Sequence, residues 1–274
     1  MNRIDAKFAE LEGRGESALI PYVTAGDPDL RTTLKILRAL ARSGADCIEL
    51  GIPFSDPMAD GPTIQRASER ALMSGTSLAR VLGLVRDFRK FSQIPLILFG
   101  YYNPFFHYGT RRLAREAKAA GVDGILCVDL PPEESGEMKC WNDTCRLRSI
   151  FLLAPTSDVG RVKLVARAGR GFIYFVSVVG VTGARTRFSE NLRTLVARIQ
   201  RRTSLPVGVG FGVSSPKQAA WISSFANAVI VGSALVGLME KEKSGAGKVR
   251  RAAAFTAALK RAMIEARRDR RCRF

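Results

Sequence analysis

Eight short, almost wholly apolar segments recur at fairly even intervals along this chain of 274 residues. Segments with helical spacing separate them; in residues 29–43, Leu30, Leu34 and Leu37 fall on one face. Apolar strands that alternate with amphipathic helices are typical of a parallel sheet covered on both faces. The predicted strands are Ala18–Thr24, Asp46–Gly51, Pro95–Tyr101, Gly124–Val128, Ser149–Leu153, Phe172–Val176, Pro206–Phe211 and Ala228–Gly232.

The same short phrase ends several predicted helices, which indicates a repeated β–α unit. It reads Gly44-Ala-Asp46 after one helix, Gly121-Val-Asp123 after another and Gly169-Arg-Gly171 after a third, with a weaker copy at Ala226-Asn-Ala228. Glycine at such a position is typical of a helix C-cap. Eight evenly spread strands without a composition break favour a single (β/α)8 TIM barrel over residues 1–274. An open, doubly wound sheet is the alternative.

Composition excludes several classes of protein. No apolar run approaches the roughly 20 residues that span a bilayer. The N-terminus lacks the basic and then apolar layout of a secretory signal, and the five cysteines form no CxxC pair. We therefore expect a cytoplasmic protein. His107 is the only histidine, which leaves no Ser-His-Asp set and argues against a zinc site; we expect His107 in a loop or at an interface.

The formal net charge of +18 raises the possibility of nucleic-acid binding. Residues 241–274 carry twelve Lys/Arg and three Asp/Glu, which is half of that net charge. Phe255, Leu259 and Met263 keep helical spacing there, so this part is predicted to be an amphipathic closing helix, followed from about residue 266 by a solvated basic tail. Binding of nucleic acid by the tail is the alternative, although no specific nucleic-acid motif is present.

Three carboxylates follow the second predicted strand closely. Glu49 stands at the end of the strand, whereas Asp56 and Asp60 lie in a loop rich in Pro and Gly. Barrel enzymes carry their active sites at this end of the strands. A fixed carboxyl that faces a mobile one suits acid–base chemistry under a closing loop. The alternative is that these acidic residues only form turns or face solvent.

Glycines cluster after the last two predicted strands. Gly210-Phe211-Gly212 follows the seventh strand and Gly232-Ser233 the eighth. Backbone N–H groups and a helix N-terminus often form a phosphate cradle at this place in a barrel. The loop at Gly180–Arg185 after the sixth strand suits a lid.

These motifs together resemble the alpha subunit of tryptophan synthase. The resemblance covers nearly the whole chain up to about residue 240 and rests on the strings at 20–28, 49–67, 101–104, 121–134, 153–157, 181–185, 210–212 and 232–233. It implies a barrel that cleaves indole-3-glycerol phosphate to indole and glyceraldehyde 3-phosphate by a retro-aldol reaction. It also implies an alpha2-beta2 heterotetramer, in which indole passes to a beta subunit that uses pyridoxal phosphate (PLP) and serine to make tryptophan. No cofactor or metal is implied on this chain.

The resemblance also implies roles for particular residues. Glu49 would be the catalytic acid–base, Asp60 would bind the indole N–H, and Tyr174 would help to hold the site. The phosphate would be bound by Gly183, Gly212, Gly232 and Ser233, and the indole ring would be enclosed by Tyr22, Ile64, Phe99 and Phe211. The lids would carry Asp56 and Thr182. The side that faces the partner would carry Pro53, Asp56, Asn103, Pro104 and Pro132. A non-catalytic subunit that only activates its partner is the alternative from another functional class.

Overall fold

Eight parallel strands close into a barrel in chain order, with β8 pairing with β1. The computed structural model describes residues 1–176, 185–210 and 212–271, and within these ranges the side chains of 185–190 and 268–271 are left undescribed. The predicted barrel is confirmed, and the open doubly wound alternative is wrong. The strands are β1 (Ala18–Thr24), β2 (Ile48–Gly51), β3 (Leu96–Gly100), β4 (Gly124–Cys127), β5 (Arg148–Leu153), β6 (Ile173–Val176), β7 (Val207–Gly210) and β8 (Ala228–Val231).

Helices connect and cover the strands. Asp29 begins one of them as an N-cap, because its Oδ1 accepts the N–H of Thr32 at 2.7 Å. The helices that the structure describes are α1 (Arg3–Gly13), α2 (Leu30–Arg42), α3 (Pro62–Met73), α4 (Leu78–Arg89), α5 (Tyr102–Tyr108), α6 (Thr110–Ala120), α7 (Gly136–Thr144), α8 (Val159–Ala168), α9 (Arg185–Gln200), α10 (Pro216–Ser223), α11 (Ser233–Glu240) and α12 (Gly245–Arg271). None of the helices described here is long and apolar enough to cross a membrane.

Helix α1 lies against the end of the barrel where the strands begin. Phe8 packs on Phe172, which directly precedes β6, with ring centroids 5.5 Å apart. Ile4 is buried, and its methyl group lies close to Gly124, the first residue of β4. We call this the lower end of the barrel; the upper end, where the strands finish, carries the cavity described below.

The repeated phrase of the sequence has a structural role at the lower end. Asp46 Oδ2 accepts the N–H of Leu19 at 2.8 Å, and Asp123 Oδ2 accepts that of Leu96 at 3.0 Å. In the weaker copy, Asn227 Oδ1 accepts the N–H of Val207 at 2.9 Å. Each side chain thus ties the start of one strand to the start of the next, and we call these three residues the lower-end ties. At the remaining copy Gly169 is the C-cap of α8, as predicted, while the positive φ is found at Gly171.

Asp123 has the most partners of the three. Its carboxylate accepts hydrogen bonds from Arg89 at 2.8 Å and Arg3 at 2.9 Å, and its side chain is 2% exposed. We expect Asp123→Ala to lower the free energy of unfolding by about 3–5 kcal/mol, because it leaves the Arg89 charge and a backbone N–H buried without their acceptor. Urea denaturation measures this. Asp87→Ala, which removes an exposed pair with Lys90, is the control and should stay close to wild type; equal effects would contradict the prediction.

The C-terminal helix α12 packs against α2 and α10 and is longer than the sequence indicated. It continues to Arg271, through residues that were expected to form a separate basic tail. The Arg267 Nε donates to the carbonyl of Ser223, and its Nη2 donates to Ser17 Oγ, both at 2.7 Å. Arg267 therefore binds the lower end of the barrel instead of extending into solvent.

Candidate active site

A cavity of about 150 Å³ opens at the upper end of the barrel. Apolar cavities of this size accommodate an aromatic ring. Nine residues singled out in the sequence line it together: Tyr22, Glu49, Asp60, Ile64, Phe99, Tyr174, Gly212, Gly232 and Ser233. Three others, Thr182, Gly183 and Phe211, lie outside the described residues. The cavity also touches Gly61, Val213 and Ile230, which the sequence did not single out.

Glu49 is a fully buried carboxyl on the barrel wall. It lies in β2, in register with Tyr22 of β1 and Ile97 of β3, and its exposed fraction is 0%. Neither of its oxygens has a hydrogen-bond partner in the part of the chain that the structure describes. Burial disfavours the charged form and raises the pKa of Glu49 to about 8. The side chain therefore carries a proton at neutral pH and can exchange it with a bound molecule.

Asp60 reaches the same cavity from the loop between β2 and α3. The hydroxyl of Tyr101 donates a hydrogen bond to Asp60 Oδ2 at 3.0 Å. Burial raises the pKa of this carboxyl, and the hydrogen bond from Tyr101 opposes the rise. Gly61 and Pro62 follow at once and begin α3, where proline is favoured at the first helical position. The start of α3 thus delivers Asp60 to the rim of the cavity.

Two tyrosines on the barrel wall lie so close to the neighbouring strand that only glycine fits beside each ring. A Cβ on Gly51 would stand 2.1 Å from the Tyr22 hydroxyl oxygen, and one on Gly210 would stand 2.3 Å from that of Tyr174. Each ring therefore crosses the neighbouring strand at a residue without a side chain. The absence of a side chain at Gly210 makes room for Tyr174. Burial, the largest cause, raises the pKa of both phenols, so both are neutral.

The other side of the cavity is formed by backbone near β7 and β8. Gly232 precedes α11 as its N-cap, and Ser233 is the first residue of that helix. Gly212 has φ of +78°, a conformation that favours glycine. The N–H groups of a helix's first turn lack partners within the helix and favour a negative charge. This side of the cavity can therefore hold an anion.

An ion-pair network joins the two helices whose N-termini meet at the cavity. Helices α3 and α11 pack closely enough that a Cβ on Gly237 would lie 3.5 Å from Thr63. Glu240, at the end of α11, binds Arg66 and Arg70 at 2.8 Å, and Arg70 also makes two hydrogen bonds of 2.8 Å to Asp27. Hydrogen bonds from these arginines lower the pKa of Glu240 to about 2. The network therefore holds α3, which follows Asp60, in a fixed position relative to α11, which begins on the anion side of the cavity.

The residues expected to face a partner differ in exposure. Asp56 and Asn103 are exposed, and Pro104 and Pro132 are half-buried, but Pro53 is buried. Met58, in the same loop as Asp56, is 94% exposed. This loop lies beside the cavity and offers a mixed acidic and apolar surface, lined by Phe54, Ser55, Asp56, Pro57, Met58, Gln65 and Glu69.

His107 lies in helix α5, where its Nδ1 is 3.0 Å from the carbonyl oxygen of Asn103. The expectation of a loop position was therefore wrong. The residue is absent from the lining of the cavity.

The raised pKa of Glu49 makes stability depend on pH. The ordinary value is 4.5 and the value in the fold is about 8, so between these limits the native state holds a proton that the unfolded chain has lost. This contribution is complete below pH 4.5 and is lost as the pH rises through about 8. We expect the unfolding free energy of wild type, relative to Glu49→Gln, to fall by up to about 1.4 kcal/mol per pH unit in this window. Urea titrations of both proteins from pH 5 to 9 test this; parallel curves would contradict it.

Comparison with known proteins identifies a family. A family model described as tryptophan synthase alpha chain matches residues 8–264. The tryptophan synthase alpha chain of Geobacter sp. (strain M21) is 53% identical over 268 residues, which is 98% of this chain and 100% of that relative. The corresponding protein of Nitrosococcus oceani is 50% identical over 242 residues, covering 88% of this chain and 89% of the relative.

Solved structures agree with this assignment. Tryptophan synthase subunit alpha from Legionella pneumophila superposes with a TM-score of 0.89 and 38% identity, covering 97% of this chain and 99% of that one. A chain of Mycobacterium tuberculosis tryptophan synthase gives a TM-score of 0.86 and 37% identity, covering 96% and 98%. The resemblance found in the sequence is confirmed. The chain belongs to the tryptophan synthase alpha chain family.

Proposed function

We propose that this chain cleaves indole-3-glycerol phosphate to indole and glyceraldehyde 3-phosphate, the retro-aldol reaction of its family. The observation that carries the proposal is the pair of carboxyls, Glu49 and Asp60, that line one cavity with different surroundings. Glu49 has no hydrogen-bond partner among the described residues, while Asp60 accepts one from Tyr101. Two carboxyls with such different environments are suited to different roles in one reaction.

Glu49 is proposed to move the proton. The bond between indole C3 and the glycerol carbon breaks only after C3 has been protonated, and a protonated Glu49 is the donor. The carboxylate left behind then accepts the proton of the glycerol hydroxyl as that carbon becomes the aldehyde. One proton is given and one is returned, so Glu49 ends the cycle as it began. A pKa near 8 keeps the donor protonated at neutral pH.

Asp60 is proposed to stabilise the charge that this step creates. Protonation at C3 places a positive charge on the indole nitrogen, and a carboxylate that accepts the N–H hydrogen bond stabilises it. Tyr174, which lines the same cavity, is proposed to help to hold the site. The walls for the ring are proposed to be Tyr22, Ile64, Phe99 and Phe211.

The phosphate is proposed to bind at the start of α11. Its backbone contacts would come from Gly212, Gly232, Ser233 and Gly183. The first turn of this helix has no side-chain cap among the described residues, which supports the proposal because an uncapped helix N-terminus is suited to an anion such as phosphate. The ring and the phosphate would thus lie on opposite sides of one cavity.

We also propose a partner, a beta subunit that carries PLP, in an alpha2-beta2 heterotetramer; the name alpha chain implies a complex with another subunit. The loop with Asp56, the loop with Thr182 and the surface of Pro53, Asn103, Pro104 and Pro132 are proposed to act as lids or to face it. No cofactor and no nucleic acid is proposed for this chain. We further propose that residues 1–274 form one domain and that the protein acts in the cytoplasm.

The direct test is release of indole from indole-3-glycerol phosphate by the purified chain, with and without a beta subunit. Indole and glyceraldehyde 3-phosphate should appear in equal amounts, and faster when the partner is present. Activation of the beta subunit without any release of indole would refute the proposal and favour a regulatory subunit.

A further inference from the structure

Tyr101 connects the rigid barrel to the loop that carries Asp60. It directly follows the last residue of β3, and its exposed fraction is 4%. Its ring packs on Phe54, with centroids 5.5 Å apart. Its hydroxyl oxygen accepts the N–H of Ala59 at 3.0 Å while the hydroxyl donates to Asp60 Oδ2 at the same distance. One side chain thus binds the loop at three points: a ring, a backbone amide and a carboxylate.

The two hydrogen bonds of this phenol orient each other. A phenol has one hydrogen to donate and lone pairs to accept with. Because the N–H of Ala59 occupies a lone pair, the hydroxyl hydrogen is free to point at Asp60. Asp60 Oδ1 receives no hydrogen bond from residues in the described ranges, so this oxygen remains for a donor on a bound molecule.

We infer that Tyr101 is a positioning residue that holds Asp60 ionised and directs its Oδ1 toward the N–H of the indole ring. This inference rests on the proposed function. It assigns no proton transfer to Tyr101, which acts only through Asp60. The ring contact with Phe54 and the bond to Ala59 restrain the loop, and the bond to Asp60 restrains the carboxylate itself.

The charges around Asp60 explain why a donor is needed there. Among the described residues, the ionisable groups near Asp60 are neutral or acidic: Tyr101 after β3, Tyr22 of β1 and Tyr174 of β6, with Glu49 of β2 also acting on the last two. Burial is the main cause of a raised pKa at the Tyr101 hydroxyl, and the charge of Asp129, just after β4, adds to it. Burial favours a proton on Asp60, and the hydrogen bond from Tyr101 is the interaction that opposes it.

The test is Tyr101→Phe in the full chain, which keeps the ring and removes only the hydroxyl. We expect kcat for indole release to fall roughly 10- to 100-fold, as for loss of one hydrogen bond to a charged group. The acidic limb of the pH profile should move to higher pH, because Asp60 then keeps its proton longer. The matched control is Tyr108→Phe, which removes a phenol-to-carboxylate hydrogen bond to Glu116 on the outside of the barrel; its kcat and pH profile should match wild type.

A second variant and a second measurement separate positioning from structure. Phe54→Leu alters the ring contact but keeps both hydrogen bonds, so its acidic limb should stay at the wild-type pH. The Asp60 carboxyl carbon can be titrated by ¹³C NMR, with Asp60→Asn identifying the signal, and its midpoint should rise in Tyr101→Phe. A fall in kcat without that rise, or an unshifted acidic limb, would overturn the inference. Absence of turnover in wild type would refute only the proposed function, since the NMR titration does not depend on activity.

Discussion

Glu49→Gln is expected to lower the rate of indole release by about 10²- to 10⁴-fold, the range for loss of a general acid–base group. Glutamine has nearly the same shape and fills the same buried position on β2, so the walls of the cavity should remain in place. The proposed mechanism would then lack the donor that protonates indole C3 and the base that accepts the proton of the glycerol hydroxyl. The measurement is steady-state indole release, with stability recorded alongside.

The pH profile makes this prediction more specific. Because the pKa of Glu49 lies at about 8, wild-type activity should fall as the pH rises through that value and the donor is lost. The residual activity of Glu49→Gln should lack this limb. Glu116→Gln, in an exposed pair with Arg112, is the control and should behave as wild type. Wild-type turnover in Glu49→Gln would show that the proposed acid–base role is wrong.

Asp60→Asn is expected to lower kcat by about 10²- to 10³-fold, with a smaller change in KM. Asparagine can still accept a hydrogen bond from the indole N–H, so binding of the neutral ring should survive. It carries no charge, and the positive charge exists only after C3 has been protonated. A loss confined to the step that creates this charge appears in kcat.

A control variant and a modified substrate help to interpret the result for Asp60→Asn. Asp87→Asn removes an exposed carboxylate that pairs with Lys90 on the outside of α4 and should leave both constants unchanged. A version of the substrate with a methyl group on the indole nitrogen cannot donate the hydrogen bond but still becomes positively charged on protonation at C3, so Asp60→Asn should slow its reaction as well. If Asp60→Asn raised KM and left kcat intact, Asp60 would bind the ring without stabilising its charge.

The order of apolar runs was enough to predict the barrel and the end at which Glu49, Asp60 and Gly232-Ser233 meet, whereas the aromatic and aliphatic lining of the cavity was implied by the family resemblance. Glu49 ends an apolar run, and Gly232-Ser233 follows another; the end of a barrel strand is where such residues meet. Strand bounds were predicted within two residues because buried parallel strands are nearly all apolar. The start of α3 could be predicted too, since Gly61-Pro62 is typical of a helix N-terminus.

Features that depend on how side chains cross between strands could not be predicted. The positions of Gly210 and Tyr174 in the sequence do not reveal that a tyrosine ring will cross the strand at that glycine. Tyr101 was noted only as part of the string at 101–104, without a role, because its partners, Ala59 and Asp60, come from a loop about forty residues earlier. Arg267 was expected in solvent because its acceptors are mainly backbone carbonyls, whose positions cannot be recognised from a sequence.

The lower-end ties affect which substitutions such a protein can accept during evolution. Asp46, Asp123 and Asn227 connect neighbouring strands at the end of the barrel opposite the cavity. Replacement of residues around the cavity therefore leaves these connections intact, and Glu49 itself contributes no hydrogen bond that the described scaffold would miss. Variants of the cavity lining should therefore keep the fold more often than variants of the lower-end ties, so new substrate preferences can arise at the upper end while the lower end stays unchanged.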